Sequence, residues 1–226
     1  MSATGTRQMQ VDTRERLLDA AENLFAREGL SRPSVRQITS EAGVNVAAVN
    51  YHFGSREGLV EAVFERHATA VNAERVEKLD AILRDAGSKR PSLSAILEAY
   101  LEVRLRHRKE RDPGGPGLKQ LFGHLLAEPP EVVEPLMQKH FQPTTNRFLD
   151  ALAQALPELP GHELEFRFQL VMASLATTAT AAPKTLNAPT SGQHKKMDTE
   201  TMNDKQTIQK LVTFLAAGLR APSAVQ

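Results

Sequence analysis

The sequence predicts an all-α fold, and three features carry that expectation. Apolar residues recur at helical spacing along most of the chain. Glycine and proline clusters interrupt the pattern at clear points. No run alternates apolar and polar residues as a half-buried strand would. The reading gives about nine helices. A three-helix domain with a helix-turn-helix comes first, and a larger helical domain follows.

Residues 1–11 are polar and without period, and read as a loose arm. From Asp12 the pattern turns helical, with Leu17, Leu18, Ala21, Leu24 and Phe25 on one stripe and Gly29 as the stop. Ser34 to Gln37 has the S-x-x-Q form of a capping box, with Pro33 before it. A short helix runs from there to Ala42 and ends at Gly43; a second fits Val46 to His52. Ser55 caps a long helix whose apolar side carries Leu59, Val60, Val63, Phe64, His67, Val71, Leu79, Ile82 and Leu83, and Gly87 closes it. Helices are then expected at 92–110, 117–127, 130–156, 161–182 and 203–219, separated by Pro- and Gly-rich breaks. Residues 184–202 are polar and read as a long loop.

Composition narrows the function classes. A length of 226 residues suits one large domain or a small one joined to a larger. The absence of cysteine excludes disulfide frameworks, Cys-ligated zinc and thiol catalysis. No apolar leader follows Met1, and the longest uncharged apolar stretch, Leu170 to Ala182, is too short for a bilayer. A soluble cytoplasmic protein without a membrane partner is expected. The net charge is +1, and residues 1–60 hold seven Arg against seven acids. Any nucleic-acid reading must therefore rest on pattern and placement rather than bulk charge.

Two short helices joined at a glycine make a helix-turn-helix. Val35, Ile38 and Ala42 give the first helix a buried side, Gly43 supplies the turn, and Val44 and Val49 pin the second helix. Val46, Ala47, Ala48, Asn50 and Tyr51 are left toward the exposed part. Small apolar side chains there suit thymine methyls and close approach in a major groove. Ser34, Asn50, Tyr51, His52 and Arg56 are candidate phosphate donors. For His52 the alternative to a phosphate contact, and the second choice, is a packing residue under the long helix. Arg36 reads as a base reader or as a solvated charge.

The runs Ala20 to Gly29, Ser34 to Ile38 and Glu41 to Leu59 resemble the DNA-binding domain of the TetR family. The resemblance is dense over residues 12–64. Thr39, Asn50 and Pro33 depart from its common pattern, which has Ala, Tyr and Thr there. The resemblance implies a bacterial all-α homodimer, most simply a repressor, on a pseudo-palindromic double-stranded operator. It implies dimerisation through helices near 161–182 and 203–219, and release by a small lipophilic effector. The tail from Val212 to Arg220 resembles a fatty-acid-responsive subgroup, which implies a fatty acid or acyl derivative. The implied organisation is an arm (1–11), a DNA-binding domain (12–54) and a ligand-binding and dimerisation domain (55–226).

Leu101, Arg104, Leu105, Leu121, Phe122, Leu125, Phe141, Phe148, Phe168 and Met172 are candidates for the effector pocket. Any one of the apolar members reads first as plain core and only second as pocket lining. The basic run from Arg104 to Arg111 reads mainly as a solvated helix face, with Arg104 or His107 able to turn inward beside Leu101 and Leu105. Two other readings stand beside the regulator: a structural helical dimer without DNA affinity, and a small all-α enzyme. For the enzyme there is no zincin, P-loop or nucleophile-elbow motif, and the seven His are scattered. No catalytic residue, cofactor or metal site is expected.

Overall fold

The structure is a computed structural model, and it describes residues 3–107, 124, 128–179 and 204–222. Nine helices and no strand occur among the described residues: α1 (Ala3–Glu28), α2 (Val35–Ala42), α3 (Ala47–Phe53), α4 (Arg56–Ala86), α5 (Leu93–His107), α6 (Pro130–His140), α7 (Gln142–Ala155), α8 (Gly161–Ala179) and α9 (Asp204–Leu219). None of the described helices is long and apolar enough to cross a membrane. The expected helix at 117–127 and the loop at 184–202 lie outside the described residues, apart from His124.

Two expectations give way here. The loose arm is helical from Ala3 onward. Once a helix is nucleated, extending it is cheap, so the anchored stripe from Leu17 carries a polar extension that has no period of its own. The single helix expected over 130–156 is two, broken at Phe141. Pro143 lacks the N–H that would continue the ladder, and Phe141 ends α6 with its own N–H on the Met137 carbonyl at 2.9 Å.

The chain divides into two compact units, Met1–Ala70 with Glu110–Gln142, and Val71–Lys109 with Pro143–Gln226. The first unit thus takes in residues 55–70 and α6, beyond the 12–54 segment drawn from sequence. Its core joins Leu17, Leu18, Ala21, Leu24 and Phe25 of α1 to Ile38, Ala42, Val49, Leu59, Val63 and Phe64. Val132, Val133, Leu136, Met137 and Phe141 pack against it. Phe141 therefore belongs to this core and not to an effector pocket in the second unit, because it continues the apolar side of α6 four residues past Met137. Glu128 reinforces the join: its carboxylate accepts from the Leu30 N–H at 2.6 Å, the Ser31 N–H at 3.2 Å and the Ser31 hydroxyl. Beneath α1, Glu22 is buried beside His67 Nε2 at 3.0 Å and Arg66 at 3.2 Å.

The second unit has a core of Leu79, Ile96, Leu97, Tyr100, Leu101, Phe148, Leu152, Leu164, Phe168, Val171, Ile208, Val212, Leu215 and Leu219. Leu101, Phe148 and Phe168 are fully or nearly buried in it, and Met172 packs partly buried against it. The side chains of Arg104 and Leu105, and all of Leu121, Phe122 and Leu125, lie outside the described residues. Arg167 is buried in this unit. Its guanidinium pairs with Glu163 at 2.8 Å and donates to the carbonyls of Gly218, Leu219, Ala221 and Pro222 at 3.2, 3.0, 2.6 and 3.3 Å. It thereby satisfies carbonyls that the end of α9 leaves without helical partners.

Two outcomes follow. Arg167→Ala should cost about 2–4 kcal/mol, because it strands buried acceptors and the Glu163 carboxylate; urea unfolding checks it, and a loss below 1 kcal/mol on that scale contradicts the capping role. For Glu22, burial acts to raise its pKa, but His67 and Arg66 outweigh it and hold the group below the ordinary value of 4.5. A lowered folded pKa stabilises above the unfolded value and loses that contribution as pH falls through the folded one. Glu22→Gln should therefore cost about 1–3 kcal/mol at neutral pH, with the difference from wild type vanishing below the folded pKa. A difference that persists unchanged at low pH contradicts this account.

Candidate nucleic-acid interface

Local chemistry sets α2. Ser34 Oγ accepts from the Gln37 N–H at 3.3 Å, and Gln37 Oε1 accepts from the Ser34 N–H at 2.8 Å, closing the capping box read from sequence. Thr39 is buried, and its hydroxyl donates to the Val35 carbonyl at 2.9 Å, so it needs no partner outside the helix. Gly43 follows with φ 64° and ψ 38°, the left-handed conformation that a side chain disfavours. Its N–H reaches the Ser40 carbonyl at 3.1 Å, and that of Val44 the Thr39 carbonyl at 3.0 Å.

Arg16 of α1 closes the turn from outside. One guanidinium nitrogen donates to the Ala42 carbonyl at 2.6 Å and the Gly43 carbonyl at 3.2 Å. A β-carbon at position 43 would lie 2.8 Å from that nitrogen, so a side chain there, besides straining the left-handed backbone, would displace the end of Arg16 from the turn. Asn45 then starts α3, its Oδ1 accepting from the Ala47 N–H at 2.8 Å. At the far end Ser55 Oγ accepts from the Gly58 N–H at 3.1 Å. A β-carbon on Gly58 would fall 2.0 Å from the Phe53 carbonyl oxygen, so only glycine lets α4 leave α3 this closely. Glu57, in the first turn of α4, is held below the ordinary carboxylate value by its own backbone N–H and the Ser55 hydroxyl.

The α3 helix buries Val49 completely and turns Ala47, Asn50 and Tyr51 outward. Val46 is 46% exposed and Tyr51 71%. Arg36 on α2 is exposed as well. Val46, Ala47, Asn50 and Tyr51 are four of the five residues expected toward the exposed part of the second short helix; Ala48 is the fifth. Ala48 and His52 are half-buried: Ala48 packs on the core, and His52 stacks edge-on with Tyr51 at 5.0 Å. Ser34 is exposed, with its hydroxyl engaged in the cap.

Arg56 departs from its expected place. Its Nε donates to the Pro33 carbonyl at 3.0 Å, another nitrogen donates to the Leu30 carbonyl, and the guanidinium lies over the Phe25 ring at 5.8 Å. The loop before α2 has carbonyls without helical partners, and Arg56 takes them, so its donors are committed inward. Sequence reasoning missed Arg16, Asn45 and Gly58 as shapers of the site. Asn45 two residues before a helix was a readable cap signal; Arg16 acts across 26 residues and left no local trace. Among the described residues no group of His, Cys, Asp and Glu could hold a metal ion.

Two family models match the chain. One described as bacterial regulatory proteins of the tetR family covers residues 17–63, and one described as a tetracyclin repressor-like C-terminal domain covers residues 98–218. The chain is 42% identical over 53 residues to the probable HTH-type transcriptional regulator YttP of Bacillus subtilis, covering 24% of this chain and 26% of YttP. It is 38% identical over 79 residues to the HTH-type transcriptional repressor NicS of Pseudomonas putida, covering 34% and 37%. The match to the probable regulator ArpR of Pseudomonas putida is 29% over 107 residues, covering 46% and 51%, so the chain spans at most about half the length of these relatives. Among solved structures, the hemolysin II transcriptional regulator HlyIIR superposes with a TM-score of 0.59 at 18% identity, over 91% of this chain and 97% of that one. The fatty acid degradation regulator FadR from Bacillus halodurans does so with 0.58 at 13%, over 93% and 97%. At these identities the structural likeness is one of fold. With its C-terminal match alone spanning more than half of the 226 residues, the chain belongs to the TetR family of bacterial regulatory proteins.

Proposed function

We propose that this regulator binds a pseudo-palindromic operator as a homodimer, represses the genes beside it, and is released by a small lipophilic effector such as a fatty acid or acyl derivative. The observation that carries the DNA reading is the outward face of α3. Val46, Ala47, Asn50 and Tyr51 are exposed, small or hydrogen-bonding, and fixed in place by the Gly43 turn and the Arg16 clamp. The exposed Val46 and Tyr51, with small Ala47 between them in sequence, suit a groove lined with methyls and phosphates. Arg36 and the Ser34 end of α2 lie on the same helix-turn-helix. Tyr51 and Asn50 hold phosphates in this reading, and Arg36 contacts a base or a phosphate. Arg56 supports the loop before α2 instead of touching DNA.

The dimer reading rests on α8 and α9. Phe166 and Leu170, one turn apart on α8, are 57% and 53% exposed, and Phe214 on α9 is 74% exposed. Large apolar side chains on these two helices suit burial against the same helices of a second copy. Release by an effector is a population shift, and it requires the effector to bind more tightly to the conformation that does not fit DNA. The aromatic core of the second unit, with Tyr100 edge-on to both Phe148 and Phe168, is the apolar region that supports a lipophilic ligand.

Selection of bound duplexes from a random pool, followed by gel shifts, tests the DNA reading. The full chain should enrich a two-fold-related sequence and lose affinity steeply with salt. Ala47→Glu should abolish specific binding by bringing a charge toward phosphates, whereas Tyr51→Ala should weaken binding to all duplexes by a similar factor, about 5- to 30-fold for one charge-assisted contact. Retained specific binding by Ala47→Glu would sink the groove face, and unchanged affinity of Tyr51→Ala its phosphate role. For the dimer, Phe214→Asp should raise the dissociation constant by about 30-fold or more, read by sedimentation. An unperturbed dimer would place the interface elsewhere.

A further inference from the structure

The apolar stripe of α4 passes from Val71 to Leu79 through an arginine, Arg75. Its residue is 3% exposed. Nε and one terminal nitrogen donate to the Tyr100 carbonyl at 3.3 and 3.1 Å, and the guanidinium lies over the Tyr100 ring at 3.8 Å. Tyr100 meets Phe148 and Phe168 edge-on at 4.9 and 5.7 Å.

Arg167, the other buried arginine among the described residues, shows what a satisfied one looks like: it has a carboxylate and four carbonyls. Among the described residues, Arg75 has a single carbonyl and the face of a ring. A guanidinium carries five donors in a planar fork, and among the described residues no carboxylate comes within ion-pair distance of this one. Burial pushes the Arg75 pKa down; the Tyr100 side chain and the charge of Glu74 oppose that only in part. An interior cation in this condition is costly unless an anion joins it.

We infer that Arg75 is the anchor of the effector site, pairing with the carboxylate of an acyl-chain acid whose tail lies against the Tyr100, Phe148 and Phe168 cluster. The inference rests on the lipophilic-effector reading above and gives that effector its head group. The fork geometry selects a planar carboxylate. The apolar and aromatic surroundings select a hydrocarbon tail over a second charged group. Arg104, singled out in the sequence as a residue able to turn inward, is not needed for this pairing.

The test measures binding of dodecanoic and hexadecanoic acids to the full chain against the matched 1-alkanols, below micelle formation, by calorimetry and by the shift of melting temperature. The acids should bind on the order of 10- to 100-fold more tightly than the alcohols. In Arg75→Met that preference should disappear while alcohol binding stays within about 3-fold, as expected when only the head-group pairing is lost. Arg75→Lys, which keeps the charge but not the fork, should fall between. Circular dichroism checks that the variants fold, and the wild-type comparison of acid with alcohol decides the matter without them. Equal affinity for acid and alcohol in the wild type, or a preserved acid preference in folded Arg75→Met, overturns the anchor and leaves a lipophilic effector standing. Failure of both ligand classes to bind overturns the effector reading and the anchor together.

Discussion

Helices of eight and seven residues do not hold themselves together. The reading head therefore depends on one constraint: the inward faces of α2 and α3 must stay seated on α1 and α4. Ile38 and Val49 are completely buried against Leu17, Phe25, Leu59 and Val63, and a side chain of this kind contributes about 1.5–3 kcal/mol when buried. Seating alone would leave the angle between the two short helices loose. The left-handed Gly43 and the Arg16 guanidinium on the turn carbonyls fix it. The outward set follows from that geometry, since fixing Val49 inward leaves Ala47, Asn50 and Tyr51 no other direction.

What could be read from the sequence was local. The capping box at Ser34 and Gln37, the stops at Gly29, Gly43 and Gly87 and the cap at Ser55 are signals carried within a few residues, and the structure has each of them. The buried stripe of α1 was legible for the same reason. Long-range commitments were not. Arg56 stands beside a cap and reads as a surface cation, yet its partners are carbonyls 23 and 26 residues earlier. Phe141 reads as pocket lining as an aromatic residue among the candidate helices, yet the end of α6 turns it to the core of the first unit. Arg75 did leave a trace, a charged residue where the apolar stripe of α4 should continue, but a broken stripe does not say what fills the break.

The neutrality of the N-terminal segment has a structural side. Arg27 pairs with Glu41 at 2.9 Å, Arg14 with Glu15 at 3.2 Å, and Arg16 is committed to the turn. Arg66 binds Glu15 and Asp19 together at 2.5 and 2.7 Å. Most of these cations set the shape of the head; they are not a field spread over its surface. A head built this way presents little unpaired charge for long-range steering of a partner.

Glu128 ties the loop after α1 to a segment almost a hundred residues later in the chain. The first unit is thus compact in space but discontinuous in sequence. A ribosome has released the whole helix-turn-helix long before it makes the glutamate and the α6 residues that complete its wall. In terms of modularity, the head cannot be exchanged between relatives by a single cut after α3 or within α4. A transplant that omits residues 110–142 moves the reading helix but leaves behind Val132, Val133, Leu136, Met137 and Phe141, the residues that close its core.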